Sequence, residues 1–194
     1  MAATAVVFDL EFTSWAGALK GGWLAPGQFK EVVQIGAVRL DASNLTELAT
    51  CKLLVRPRLN AELSDYFVQL TGISNARIAR DGVDFAPVYQ AFLEFCADGM
   101  ACAFGRDDLV LAENLSLYGL GAAPILRRYF NIAEWLRANG IETKGRHACD
   151  VGPLCGAEFL GQRHDALDDA RSVAAGIRAL VCKGAKNPFR TFRD

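Results

Sequence analysis

Asp9 and Glu11 interrupt an otherwise apolar run, TAVVFDLEF, over residues 4–12. In an extended chain residues i and i+2 point to one face, so the two carboxylates stand about 6–7 Å apart along it. Two like charges among Val6, Val7, Phe8, Leu10 and Phe12 are costly to bury, and a hard divalent cation between them relieves the conflict. An edge strand showing two acids to water would have the same D-x-E, so the pair needs company. A second acidic segment, QRHDALDDA (162–170), opens an amphipathic helix with a core stripe of Ala170, Val173, Ala174, Ile177 and Val181. Asp169 lies one turn before Val173 and leans toward the sheet, while Asp168 points about 100° away and can pair with Arg171. His164, five positions before Asp169, cannot share its helical face. It belongs to the preceding loop, placed to act on a water beside an ion held by Asp169. Acids in a first turn are also favoured by the helix dipole alone, so this segment gains its meaning from the D-x-E. A third acidic element, GRDD (105–108), follows the apolar run MACAF (100–104), and open α/β sheets bind ligands just beyond such strand ends. One of the two aspartates can cap the next helix. We read Asp108 as the acid on the metal side and Asp107 as the capping or exposed one.

The elements that position these groups follow from hydrophobic period. Residues 4–12, 31–40 and about 47–56 read as strands, the latter two a hairpin across Asp41, Ser43 and Asn44. Helical spacing takes over from about residue 62: Leu63, Phe67 and Leu70, then Phe85, Val88, Tyr89, Phe92 and Phe95. MACAF is a buried parallel strand between helical segments. Helices are expected at 107–118, 122–138 and 150–158, and from Asp165 to about Cys182. Strands first, then strand and helix alternating, predict an α/β fold with a mixed sheet.

The chain has 194 residues, 52% hydrophobic and 22% charged, with 21 basic and 22 acidic side chains for a net charge of -1. That is one globular domain with enough core to need neither disulfides nor a structural metal, and it excludes disorder. The longest stretch without Asp, Glu, Lys or Arg is the 13 residues from Asn114 to Leu126, too short and too broken by Gly and Pro to span a bilayer. No membrane association is expected. The N-terminus has no basic leader, and Asp9 and Glu11 interrupt the apolar run too early for a secretory signal, so a cytoplasmic protein is expected. The six cysteines contain no C-x-x-C and read as reduced, mostly core residues. Without a basic excess, the chain is not built to grip a long duplex through many phosphates. Arg178, Lys183, Lys186, Arg190 and Arg193 do cluster late in the chain, so residues 1–184 are read as the domain and 185–194 as a basic tail.

Taken in order, D-x-E on a first strand, a central Asp in GRDD and a late H-x-A-x-x-D resemble the DEDDh 3′-5′ exonucleases of the ribonuclease H-like fold. Within them the chain looks most like the histone-mRNA 3′-exonuclease and RNA-interference branch and its bacterial relatives. The resemblance runs from FDLEFTSW (8–15) through EVVQIGAVRLD (31–41), LSDYFVQLTGIS (63–74), AFGRDD (103–108) and GRHACD (145–150) to RHDALDDARSVA (163–174). It implies a central mixed five-stranded sheet flanked by helices. It implies that Asp9, Glu11, Asp108 and Asp169 hold two divalent cations, Mg²⁺ or Mn²⁺, with His164 as general base. Phe12 and Thr13 would cradle the terminal nucleotide, with Leu70 and Ile73 against its base or sugar. Ser172 stands where that branch often has Asn, which bears on packing more than on chemistry.

Hydrolysis of a phosphodiester needs an activated water in line and relief of charge on the leaving oxygen, which two cations about 3.5–4 Å apart supply. An all-oxygen donor set suits Mg²⁺ or Mn²⁺ better than zinc. His164, with an ordinary pKa near about 6.5, can take the water's proton. The expected activity is removal of nucleoside 5′-monophosphates from the 3′ end of single-stranded nucleic acid, RNA favoured over DNA. Two alternatives stand beside it: a catalytically idle nucleic-acid-binding module on the same fold, and an enzyme restricted to very short oligonucleotides. Cys149, Cys155 and His147 lack the spacing of a zinc site and read as core or loop residues. Trp15 and Trp23 flank a Gly-rich stretch, residues 16–27, that reads as a flap over the site, each indole able either to stack on a base or to anchor the loop.

Overall fold

The structure, a computed structural model, describes residues 3–97, 99–121, 126 and 128–190. Its frame is a five-stranded sheet in the order β3-β2-β1-β4-β5. Strands β1 (Thr4–Phe12), β2 (Val32–Asp41) and β3 (Glu47–Leu54) pair antiparallel, and β4 (Met100–Ala103) and β5 (Tyr129–Asn131) add in parallel beyond β1. The mixed five-stranded sheet flanked by helices is the arrangement that the resemblance implies. β1 lies at the centre, covered on both faces, which is why it reads as an almost continuous apolar run rather than an alternating one.

The two faces of β1 bury different helices. Val6, Phe8 and Leu10 pack with α4 (Phe85–Cys96) and α5 (Asp107–Leu117), where Phe8 meets Phe92 at 5.1 Å between ring centroids. Ala5 and Val7 pack with α6 (Ile132–Ala138), α7 (Ala148–Leu154) and α8 (Ala166–Cys182). Asp9 and Glu11 continue that second, odd-numbered face, so α8 and the two acids share one side of the sheet. The short α2 (Asp65–Thr71) and α3 (Asn75–Asp81) form a satellite core of Val33, Leu63, Phe67, Ile73 and Ile78, each helix capped by a serine, Ser64 or Ser74. A further single turn, α1 (Ala18–Gly21), lies in the β1–β2 connection.

Two expectations need correction. The helix expected over 122–138 is absent in its second half as one element, because Tyr129–Asn131 form β5 and only Ile132–Ala138 are helical. Asn131 accepts the N–H of Ala133 and starts the helix there; residues 122–125 and 127 lie outside those described. The expected helix over 150–158 runs instead from Ala148 to Leu154. Within the segment read as a basic tail, contacts to the domain run as far as Arg190. Asn187 donates to the Ala42 carbonyl at 2.9 Å and Phe189 packs on Phe130 at 5.8 Å, so it closes one end of the core; Arg193 lies outside the described residues. Four of the six cysteines, Cys96, Cys102, Cys149 and Cys155, are buried and unpaired. Among the described residues no helix is long and apolar enough to cross a membrane.

Gly36 sets how close α8 comes to the sheet. It pairs with Asp9 on β1, and a Cβ there would lie 2.0 Å from the Leu167 backbone nitrogen. No rotamer change relieves a clash with backbone. Gly36→Ala is therefore expected to cost about 3 kcal/mol or more in urea unfolding, at the upper end for overpacking, because the first turn of α8 must lift off β2. A loss below about 1 kcal/mol would mean that the helix start is free to move.

Candidate active site

Four acidic side chains from three elements meet at one cavity. Asp9 and Glu11 come from the C-terminal half of β1, Asp107 from the first residue of α5, and Asp169 from the first turn of α8. All four are buried, Asp169 to 2% exposure, yet each lines a cavity of about 740 Å³. His164 joins them from the loop before α8. Ligand atoms of Glu11, His164 and Asp169 lie within 4.8 Å of one another.

Local structure explains how each arrives. Gly105, with φ 149°, turns the chain out of β4, and its carbonyl accepts the Tyr129 hydroxyl at 2.6 Å. Helix α5 then begins at Asp107. Its buried stripe is Asp107, Val110, Leu111 and Asn114, the spacing of one helical face. Asp108, 100° further round, faces away from the cavity. Both its oxygens accept from Arg106, Nε to Oδ1 and Nη2 to Oδ2, each at 2.8 Å. The reading of Asp108 as the cavity-facing acid is thus reversed, since the helix can turn only one of two adjacent residues inward.

The start of α8 is fixed from two strands. Asp165 caps it, accepting the N–H of Leu167 at 3.2 Å, and forms an ion pair with Lys52 of β3. The fully buried Gln34 of β2 accepts the Ala166 N–H at 2.7 Å. Asp168 stays outside the cavity, accepting the Gln162 N–H at 2.9 Å and standing 4.0 Å from Arg171.

The electrostatics are strained without a cation. Burial first, then Asp107, Glu11 and Asp169, push the Asp9 carboxyl well above its usual range. Burial, then Asp169, Asp165 and Asp107, do the same to Glu11. Burial pushes Asp107 and Asp169 each up to about 7. His164 is shifted the other way, because burial and then the His147 and Arg163 charges disfavour the imidazolium. Asp169 Oδ1 is buried with no hydrogen-bond partner. An orphaned carboxylate oxygen among three more acids, with the His164 imidazole within reach, is a donor set rich in oxygen that fits hard divalent ions.

The residues expected to hold a terminal nucleotide divide. Phe12 and Leu70 line the cavity, Phe12 packing on Trp23 at 5.4 Å. Thr13 and Ile73 do not line it. Thr13 Oγ1 accepts the Glu31 N–H at 3.0 Å and donates to the Phe29 carbonyl, closing the base of the loop, and Ile73 is in the satellite core. Trp23 lines the cavity while its Nε1 donates to the Thr13 carbonyl at 3.0 Å, so that indole both anchors the loop and faces the site.

Three contributors escaped the sequence reading. Gln34 was visible only as a polar residue inside EVVQIGAV. In the sequence Glu31 is simply the first residue of the strand pattern EVVQIGAVRL. Its carboxylate accepts the N–H groups of Arg58, Leu59 and Asn60 at 2.7, 2.9 and 2.5 Å and the Tyr118 hydroxyl at 2.6 Å, pinning the approach to β2. His147 lines the cavity and meets His164 edge to face at 5.3 Å.

A central strand ending in buried acids, met by an acid from each of two helices, defines a hydrolase-type site on a ribonuclease H-like sheet. The exonuclease (RNase_T) family profile matches residues 6–176, and the chain belongs to that family of divalent-metal-dependent nucleases. No curated protein matches the sequence. Among solved structures, the nuclease domain of 3′hExo, a DEDDh family member bound to rAMP, is 21% identical with a TM-score of 0.79, covering 95% of this chain and 94% of that one. Cell-death related nuclease 4 (CRN-4) gives 21% and 0.77, over 94% and 65%. The zinc-bound exonuclease I–single-stranded DNA complex of E. coli gives 14% and 0.72, over 95% and 41%. At these identities the likeness is one of fold.

Proposed function

We propose that the chain is a metal-dependent 3′-5′ exonuclease of the DEDDh type that releases nucleoside 5′-monophosphates from single-stranded ends, with RNA favoured over DNA. The convergence of Asp9, Glu11, Asp107 and Asp169 on one open cavity, with His164 at its edge, carries this reading. The neighbours bound to rAMP and to single-stranded DNA support it. A cytosolic setting accords with the unpaired cysteines.

In this scheme the four carboxylates would hold two divalent cations, Mg²⁺ or Mn²⁺. When bound, such ions acidify a water and neutralise charge on the leaving oxygen. His164, held neutral by its half-buried site, accepts the proton of the attacking water and carries it toward solvent. Phe12 and Leu70 offer an apolar seat for the terminal nucleoside, so Thr13 and Ile73 act only through the walls behind them.

Matched 20-mers of RNA and DNA, 5′-labelled, single- or double-stranded, test the reading directly with Mn²⁺ present. Expected is a ladder shortening one nucleotide at a time from the 3′ end of single strands, abolished by EDTA and faster for RNA. Preference for 2-mers over 20-mers would instead mark an enzyme of very short oligonucleotides, and no cleavage with no Mn²⁺-dependent rise in Tm would mark an idle scaffold. His164→Ala should lower kcat by about 10²–10⁴-fold while retaining Mn²⁺-dependent binding of the mononucleotide product. Loss of that binding would make His164 a structural residue.

A further inference from the structure

The chain holds two histidines, and the proposed reaction uses one of them. The other, His147, presents its ring edge to face with His164 at 5.3 Å, both lining the cavity. It precedes α7, where its backbone N–H donates to Asp150 Oδ2 at 3.0 Å. The second oxygen of that carboxylate, Oδ1, accepts from Arg163 Nη1 at 2.9 Å. Arg163 is the chain neighbour of His164. One carboxylate therefore ties the residue before His164 to the residue whose ring meets that of His164.

The backbone gives such a tie something to do. His164 has φ 58°, in the left-handed region that a side chain with a Cβ rarely adopts and keeps only when its surroundings hold it. Other bonds steady the loop backbone: the Gln162 N–H to Asp168 Oδ2 at 2.9 Å, Gln162 Nε2 to the Thr71 carbonyl at 2.8 Å, the Asp165 N–H to the Gln162 carbonyl at 3.3 Å, and the His164 backbone N–H to the Asp169 carboxylate. These set the backbone at His164 and leave the direction of its ring to the side chains around it.

We propose that Arg163, Asp150 and His147 form a positioning clamp that holds the His164 ring over the acidic cavity, adding side-chain alignment of the base to the bonds that set its loop. This inference rests on His164 acting as the base. The clamp's ion pair is solvent-exposed, with side-chain exposures of 53% for Arg163 and 22% for Asp150. Exposed pairs add little to global stability, so losing the clamp should register in turnover and leave melting nearly unchanged.

Asp150→Ala and Arg163→Ala are expected to lower kcat by about 10- to 100-fold, the scale of a misplaced catalytic group. KM should stay within about twofold and Tm within about 2 °C. Arg163→Lys should recover part of the loss, and His147→Phe, which keeps a ring edge at the same place, should recover most of what His147→Ala loses. In the His164→Ala background, Arg163→Ala should cost nothing further. A further loss there would show that Arg163 acts on substrate and overturn the clamp, as would a His147→Phe variant as poor as His147→Ala. A readout that needs no activity comes from the metal-free protein. Nuclear Overhauser contacts between the two imidazoles should be present in the wild type and lost in Asp150→Ala; their persistence would overturn the proposal. A wild type inactive on every oligonucleotide would refute the nuclease reading while leaving this spectral test decisive for the clamp.

Discussion

Asp9→Asn is expected to reduce Mn²⁺-dependent mononucleotide release on the order of 10³-fold or more and at the same time to raise the Tm of the metal-free protein. Both effects have one origin. Asp9 is buried beside Glu11, Asp107 and Asp169, and its charge is opposed by burial and by all three. An amide of the same shape removes that repulsion. If about 1–2 kcal/mol is released, Tm rises by roughly 2–8 °C for a chain of this size. The Mn²⁺-dependent increment in Tm should shrink in the same variant. A lower metal-free Tm together with wild-type turnover would remove Asp9 from the site. The wild type should show the matching pH dependence in EDTA. Asp107 and Asp169 protonate near pH 7 when folded, against an ordinary value of 3.8, so the folded state binds more protons than the unfolded state between these values. Stability is then gained as pH falls from 8 to about 6.5. Below that His164 opposes the trend, since its folded pKa is lowered and the unfolded chain takes up its proton first. Differential scanning with and without Mn²⁺ checks the sign, because ions that need ionised carboxylates should flatten or reverse the slope.

Asp107→Asn and Asp108→Asn, adjacent and chemically identical changes, should differ in rate by about 10²-fold or more. Asp107 faces Asp9 across the cavity, so its substitution is expected to remove most turnover. Asp108 pairs with Arg106 at the rim, and its substitution should leave kcat within about threefold and Tm within about 2 °C, as for other surface ion pairs. Equal losses would show that α5 starts one residue later in the working enzyme, with the helix turned by about 100°. Single-turnover rates on a 3′-labelled RNA separate these outcomes without interference from product release.

How far the sequence foretold these positions depended on whether a period or a contact decided them. Asp9 and Glu11 were readable because strand alternation puts both on one face, and Asp169 because it continues a helical stripe with Val173. The same rule, applied to α5, could not choose: Val110, Leu111 and Asn114 lie three, four and seven residues beyond Asp107, and Leu111, Ala112 and Leu115 lie at the same steps beyond Asp108. With an acid at the head of either stripe, only the packing of α5 on the sheet decides which one faces the cavity. The β5–α6 junction was harder, because β5 is only three residues long and gains strand character from pairing with β4, not from its own composition. Thr13, Ile73, Glu31 and Gln34 were beyond reach for a different reason. The roles of Thr13, Glu31 and Gln34 are set by partners 16 to 132 residues away, such as the Phe29 carbonyl for Thr13 and the Ala166 N–H for Gln34, and Ile73 joins a core that includes Val33 of a distant strand; no local spacing encodes those contacts.

The clasp between Lys52 and Asp165 couples chemistry to the least protected border of the sheet. Strand β3 is half-solvated along its length and has a neighbour on one side only, so its fluctuations open at lower energy than those of β1. When that border frays, the cap of α8 loses its cation, and the first turn that carries Asp169, with the His164 loop at its head, rests on the Gln34 tie while the interior is still packed. Heating should therefore silence the enzyme several degrees before it unfolds, with catalysis sensing the rim of the molecule earlier than calorimetry senses its heart.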